Sequence, residues 1–501
     1  MSKKSEYQPR TWMGWAVFGG TLVAVFALGL LYSSIMERRQ EARIRPPLEE
    51  ISKFESDSSA WANNWPREYD RFMMTADTTS ETLFGGSAPR DYLEETPENV
   101  ILFSGMAFAI DYWQARGHHY ALEDVKTTPR LSDDTPATCW TCKSSDVPRV
   151  MAELGQQYVD NPEEASLQEL ALAGAADFYG HNFHDFDDEM HHTVGCLDCH
   201  EPDTMRLRIS RPALIEAFEA QGKDIHDVTH QEMRSLVCAQ CHVEYYFRGE
   251  NDHLVLPWTH GTRPEEMEQH FDDYGFADWT HAISGAPMIK MQHPDYELYS
   301  TGIHAYRNVS CADCHMPYRT EGGEKFTDHY IQSPLENVAN SCQVCHRWSE
   351  DDIRERVYAI QSNVKEGRTR AEEVLALAHF DAAACIEIGA SDSELEPIQQ
   401  LIRQAQLRWD YVAAAKGMGF HSPGESQRLL TAAVEMAGKA RVEAAKVLAR
   451  HGYTDDVVYP DFSTKERAQE INQRFVDGDP PSLLRDFTAS ASPPEGETAV
   501  Q

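Results

Sequence analysis

The sequence predicts a fold organised around bound cofactors and closed by long helices, and three observations predict it. Ten of the eleven cysteines fall into five Cys-x-x-Cys pairs between Cys139 and Cys345. The segments between the pairs, across residues 61–350, are irregular and rich in Pro, Gly and His. After His346 apolar residues recur at helical spacing through 351–455.

The elements follow in chain order. Residues 1–11 are basic, with Lys3, Lys4 and Arg10, and 12–36 read "WMGWAVFGGTLVAVFALGLLYSSIM", long enough to cross a bilayer as a helix. No small-x-small cleavage pattern follows, so this segment is expected to remain as a transmembrane signal anchor. Arg38, Arg39, Arg43 and Arg45 lie beyond it, so charge alone does not orient it. Residues 37–60 are charged and weakly periodic and suit a stalk or linker. The region 61–350 holds all five cysteine motifs. In 351–455, Ile353, Val357, Ile360 and Val364 mark one helix, and Leu395, Ile398, Ile402 and Leu407 a second within 391–416. A third starts at "SPGE", with Ser422 as cap, Pro423 in the first helical position and Glu425 completing a capping box, and ends near His451. Residues 456–501 form an extension, expected to be a disordered tail from about 477.

The chain has 501 residues, 41% of them hydrophobic, which allows a sizeable core. Its net charge of −36 argues against a nucleic-acid partner, because phosphates would be repelled. Five Cys-x-x-Cys pairs admit haem c, zinc or redox disulfides, and the next residue separates these readings. Four pairs are followed by histidine: "CLDCH" (Cys196, Cys199, His200), "CAQCH" (Cys238, Cys241, His242), "CADCH" (Cys311, Cys314, His315) and "CQVCH" (Cys342, Cys345, His346). Histidine is 22 of 501 residues, so chance would place it after roughly one pair in 20. The spacing is therefore that of covalent haem attachment, with two thiols for the vinyl groups and a histidine for the iron. Such attachment places the body outside the bacterial cytoplasm, with the N-terminus inside. Porphyrins are apolar plates, and burying five of them can replace much of a side-chain core.

The remaining pair is "CWTCK" (Cys139, Cys142, Lys143). A lysine amine binds iron only as the neutral base, so its ordinary pKa of roughly 10.4 must be overridden by metal competition and burial. So awkward a ligand points to a haem used for substrate chemistry, with its other face open. The alternative is a solvent-facing Lys143 with another side chain as ligand. Cys385 reads as a small buried hydrophobe. The cluster His181, His184, His191 and His192 reads as a solvated acidic loop in preference to a metal site.

With the lysine motif first and four histidine motifs after it, the chain resembles the pentahaem cytochrome c nitrite reductases, which form ammonium from nitrite with six electrons. The likeness covers roughly Asp70 to Thr464 and includes "CAQCHVEYYF", "KMQHPDYE", "TGIHAYRNVSCADCHMP" and "HSPGE". It implies a mainly α multihaem cytochrome c fold and a homodimer formed through the long C-terminal helices. It implies that Lys143 ligates the catalytic haem, with Arg130, Tyr245 and His293 around bound nitrite and Arg116 as the second arginine candidate. Arg130 and His293 would give the anion a local cationic funnel, and Tyr245 and His293 would donate protons, histidine titrating nearest to working pH. The distal ligands implied are His118 for the haem of His242, His329 for that of His200, His304 for that of His346, and His421 for that of His315; His119 is then polar surface. The resemblance also implies calcium, held by the Glu244 carboxylate, the Tyr245 and Lys290 carbonyls and the Gln292 side chain. Without it, Glu244 reads as a surface charge and Lys290 as solvated.

The expected function is respiratory reduction of nitrite to ammonium on the periplasmic side of the inner membrane. Electrons would come from a quinol-oxidising membrane multihaem cytochrome or a soluble cytochrome donor. Two other readings stay open: the same fold acting mainly on hydroxylamine, nitric oxide or sulfite, and a membrane-anchored electron carrier.

Overall fold

The protein is described by a computed structural model covering residues 11–41 and 47–485. Helix α1 (Thr11–Glu41) contains Trp12–Met36, a 25-residue stretch of mean hydropathy 2.0 that buries nothing against the protein. At 1.5 Å per residue it is about 37 Å long, enough to cross a hydrocarbon layer. Part of the segment expected as a stalk, 37–60, packs on the body instead. Ile51 is in the core, and the Ser56 hydroxyl donates to the buried Asp146 carboxylate at 2.6 Å. The weak periodicity of this stretch hides single anchoring residues that a helical template does not register.

The body is mainly helical, with short helices, 3-10 turns and four two-stranded antiparallel hairpins among the described residues. Helix α2 (Asp146–Gly155) starts three residues after Lys143 and crosses α3 (Leu167–Tyr179) at very short range. The crossing needs glycine on both helices: a Cβ on Gly155 would lie 1.9 Å from the Leu170 carbonyl oxygen, and one on Gly174 1.9 Å from that of Met151. Ser166 and Glu169 form a capping box at the start of α3. Helix α4 (His230–Ala239), capped in the same way by Thr229 and Glu232, runs into the "CAQCH" motif. It is followed by a hairpin of β1 (Tyr246–Arg248) and β2 (His253–Val255).

The C-terminal region is a packed set of long helices: α5 (Glu350–Glu387), α6 (Asp392–Ala414) and α7 (Pro423–Arg450). Apolar side chains at three- and four-residue steps line their contacts, including Val364 and Leu375 on α5 and Ile398 and Ile402 on α6, while Ile353 and Val357 of α5 pack in a separate cluster with Leu335 and Val338. An alanine stripe on α7 (Ala433, Ala437, Ala440, Ala444) is buried and lets its neighbours approach closely. Cys385 is buried there, as expected. The start of α7 differs from expectation. Pro423 is in the first turn, but the Ser422 side chain makes no capping bond, and Glu425 pairs with Arg428 at 2.6 Å. The tail expected from 477 is also ordered as far as it is described. After α8 (Lys465–Val476) the chain returns so that Leu483 and Leu484 are buried and the Val458 N–H donates to the Leu483 carbonyl at 2.9 Å. Two adjacent leucines suffice to anchor a segment whose composition is otherwise that of a linker. Residues 486–501 lie outside the described residues.

Candidate active site

Each cysteine motif is a turn of helix, which brings its two thiols to one side and projects the next side chain from the turn. In three histidine motifs the histidine N–H returns to the first cysteine carbonyl: His200 to Cys196 at 3.0 Å, His242 to Cys238 at 2.9 Å and His346 to Cys342 at 2.9 Å. In "CWTCK" the Lys143 N–H instead bonds the Trp140 carbonyl at 2.8 Å, a tighter turn. Trp140 is buried and stacks on Phe183 with centroids 3.8 Å apart. Behind Lys143, the Asp146 carboxylate accepts the His191 and His192 N–H groups at 2.8 Å each. His192 is thus used structurally, while His181 and His184 pair with Asp185 and Asp187 at the surface. No group of three or more His, Cys, Asp or Glu suited to a metal ion occurs among the described residues.

All five motifs open on one connected cavity of about 2970 Å³. Across it, histidine rings face each other in pairs: His118 and His242 with centroids 6.3 Å apart, His200 and His329 6.1 Å, His304 and His346 6.3 Å, and His315 and His421 6.2 Å, while His293 also lies 6.3 Å from His242, so that motif has two histidines at this spacing. Two metal–nitrogen bonds of about 2 Å, each extended by about 1.1 Å from nitrogen to ring centre, give about 6.2 Å. The spacing therefore fits one metal between each pair. Nδ1 of His200, His315 and His329 lies within 3.0 Å of the carbonyls of Met205, Gln332 and Thr327, which fixes that nitrogen as the donor and leaves Nε2 free. Burial pushes His118, His200 and His315 down to about 4, so they are neutral imidazoles at pH 7, the form that binds metal. The Gly302 turn before His304 touches the His421 loop so closely that a Cβ there would lie 2.0 Å from the His421 carbonyl oxygen. The motifs also touch in series. The Cys142 and Cys241 sulfurs are hydrogen-bond neighbours, as are those of Cys238 and Cys311.

Lys143, Arg130, Tyr245, His293 and Gln292 line the same cavity. The Arg130 guanidinium lies 4.4 Å from the Phe108 ring centre and donates to the Thr128 hydroxyl at 3.1 Å, with no ion-pair partner among the described residues. Arg116 is bound to Glu123 at 2.9 Å and Asp124 at 2.6 Å, so its charge is neutralised locally. Burial holds the Tyr245 phenol well above its ordinary range, and nearby cysteine sulfurs add to the effect. Burial, with Lys416 and Lys143 nearby, holds His293 well below its ordinary range. This corrects the sequence expectation that His293 titrates nearest to working pH and joins a cationic funnel. A histidine buried this deeply is neutral at pH 7, leaving Arg130 as the cation of the three. Its Nδ1 is buried without a partner.

Glu244 and Lys290, expected at the surface, are 0% and 1% exposed. One Glu244 oxygen accepts the Gln292 N–H at 2.5 Å; the other is buried without a partner, as is Oε2 of neighbouring Glu297. Orphaned carboxylate oxygens beside the Lys290 carbonyl and the Gln292 side chain suit a hard cation. The Gln292 amide nitrogen donates to that carbonyl at 3.3 Å. The Lys290 ammonium meets both Asp410 oxygens at 3.0 Å and lies 4.9 Å from the Phe103 ring centre. Asp410 also accepts the Met291 N–H at 2.9 Å. This clamp from α6 onto 290–292 was not readable in the sequence, where Asp410 is one acid in an ordinary helix.

Comparison with known proteins fits this construction. Residues 57–481 match the family described as Cytochrome c552. The cytochrome c-552 of Parabacteroides distasonis is 48% identical over 474 residues, 93% of this chain and 92% of that one. That of Porphyromonas gingivalis is 46% identical over 486 residues, 95% and 94% of the two chains. Among solved structures, the catalytic subunit of the cytochrome c nitrite reductase from Desulfovibrio desulfuricans ATCC 27774, described with two calcium sites, aligns with a TM-score of 0.72 and 31% identity over 79% of this chain and 88% of that one. A mainly helical protein with five attachment motifs around one cavity, this chain belongs to the cytochrome c552 family.

Proposed function

We propose that this chain reduces nitrite to ammonium with six electrons, at a haem c ligated by Lys143 and fed by four bis-histidine haems. The observation that carries the reading is an asymmetry. Four motifs have a histidine facing their own at 6.1–6.3 Å, while the fifth ends in a lysine beside Arg130, Tyr245 and His293. Four haems would be held between His118 and His242, His329 and His200, His304 and His346, and His421 and His315. When bound, haem c would supply stored electrons and an iron site for nitrite. Arg130 attracts and orients the anion, with no carboxylate among the described residues competing for its guanidinium. Tyr245 and His293 act as neutral hydrogen-bond donors toward the anion and pass protons on only as they receive others, and burial keeps bulk water from replacing them. The kinship with a nitrite reductase of similar fold supports the substrate.

Calcium held by Glu244, the Tyr245 and Lys290 carbonyls and Gln292 would fix the two segments that carry Tyr245 and His293. The apolar N-terminal helix anchors the body on the periplasmic side of the inner membrane, where a quinol-oxidising multihaem cytochrome or a soluble cytochrome reduces it. The α5–α7 region is the homodimer surface. The test is steady-state nitrite reduction with a viologen donor, ammonium being quantified, for the wild type and Lys143→His. We expect a loss of at least roughly a hundredfold in the variant. Full retention with five haems bound would overturn the reading.

A further inference from the structure

Asp295 has no part in the reading above. It opens the short helix Asp295–Ser300, two residues after His293, and is buried. Its Oδ2 lies 3.0 Å from Nδ1 of His242, and its Oδ1 accepts the Lys416 backbone N–H at 2.5 Å. The next residue, Tyr296, donates its N–H to the His242 carbonyl at 3.1 Å, so the helix start is fixed to the "CAQCH" motif at two points. His200, His315 and His329 have neutral carbonyls at the same nitrogen. An imidazole whose Nδ1–H points at a carboxylate donates more strongly through Nε2 than one pointing at a carbonyl. Stronger axial donation favours the oxidised iron and lowers its potential. The motif so treated is the one whose Cys241 sulfur adjoins Cys142 of the lysine motif.

Resting on the haem assignment above, we propose that Asp295 is a positioning residue that makes the haem of His118 and His242 the most reducing of the four bis-histidine haems, next to the lysine-ligated one. Electrons then leave it for the substrate site downhill. Lys416 holds the second carboxylate oxygen, so the first stays aimed at His242.

The test is redox potentiometry of the holoprotein, followed by visible and low-spin electron paramagnetic resonance spectra, for the wild type, Asp295→Asn and Asp295→Glu. In the wild type one bis-histidine component should titrate below the other three. In Asp295→Asn that component should move upward while the others stay, and Asp295→Glu should keep it near its wild-type place. Four wild-type components titrating together would overturn the proposal, even if Asp295→Asn is not recovered with five haems. So would an Asp295→Asn titration in which nothing moves or all components move alike. The readout is a potential, so its failure is distinct from a failure to reduce nitrite.

Discussion

Replacing Asp410 by Asn tests whether the clamp from α6 sets the geometry of the substrate loop. Lys290 and Asp410 are 1% and 0% exposed, so solvent does not screen them. Burial alone would discharge the Lys290 amine; the Asp410 carboxylate outweighs it and keeps the ammonium charged. Asn can still accept the Met291 N–H, so the substitution isolates the charge. Removing one partner of a buried pair costs about 3–5 kcal/mol. The cost should depend on pH. Without Asp410 the folded-state pKa of Lys290 falls below its unfolded value of about 10.4, so the unfolded chain binds more protons between the two values. The deficit is therefore full below the folded pKa and shrinks as pH rises toward the unfolded one. Urea unfolding followed by circular dichroism at about pH 7 and about pH 9.5 should show the larger loss at the lower pH. Lys290→Met added to Asp410→Asn should recover most of it. Turnover should fall by roughly ten- to a hundredfold, because His293 sits two residues beyond Met291. A loss under about 1 kcal/mol with no pH dependence would refute the reasoning.

Two other outcomes are expected. Glu244→Gln removes the carboxylate from the proposed calcium set, and calorimetric titration of the metal-stripped holoprotein should show affinity lowered by on the order of tenfold or more; equal uptake would exclude Glu244 as a ligand. Because burial depresses His293, it stays uncharged down to well below 6.5. The KM for nitrite should then show no inflection near pH 6.5, and a titration centred there would mean that His293 binds the anion as a cation.

The sequence made legible what is local. The five motifs, the long helices and the burial of Cys385 all follow from spacings of a few residues. The pairing of the facing histidines, by contrast, could be expected only through family likeness, since 22 histidines cannot be paired by counting. Lys416 and Asp410 went unmarked because each acts across the fold and nothing in its neighbours distinguishes it from a surface charge; Asp295 and Glu297 lie within "KMQHPDYE", whose likeness marked the segment but not their individual roles. Glu244 and Lys290 failed the usual rule that acids and lysines face water for the same reason: their partners are Gln292 and Asp410, distant in sequence. The short anchors at Ile51 and Leu483–Leu484 were missed because one or two apolar residues carry no period.

Three of the four facing histidine pairs join positions more than 100 residues apart. With the proposed haems bound, every such pair would become a lace drawn through a long loop, whose closure costs an unfolded chain entropy that rises slowly with loop length. A single unlaced eyelet would slacken stretches of the molecule far from the missing plate.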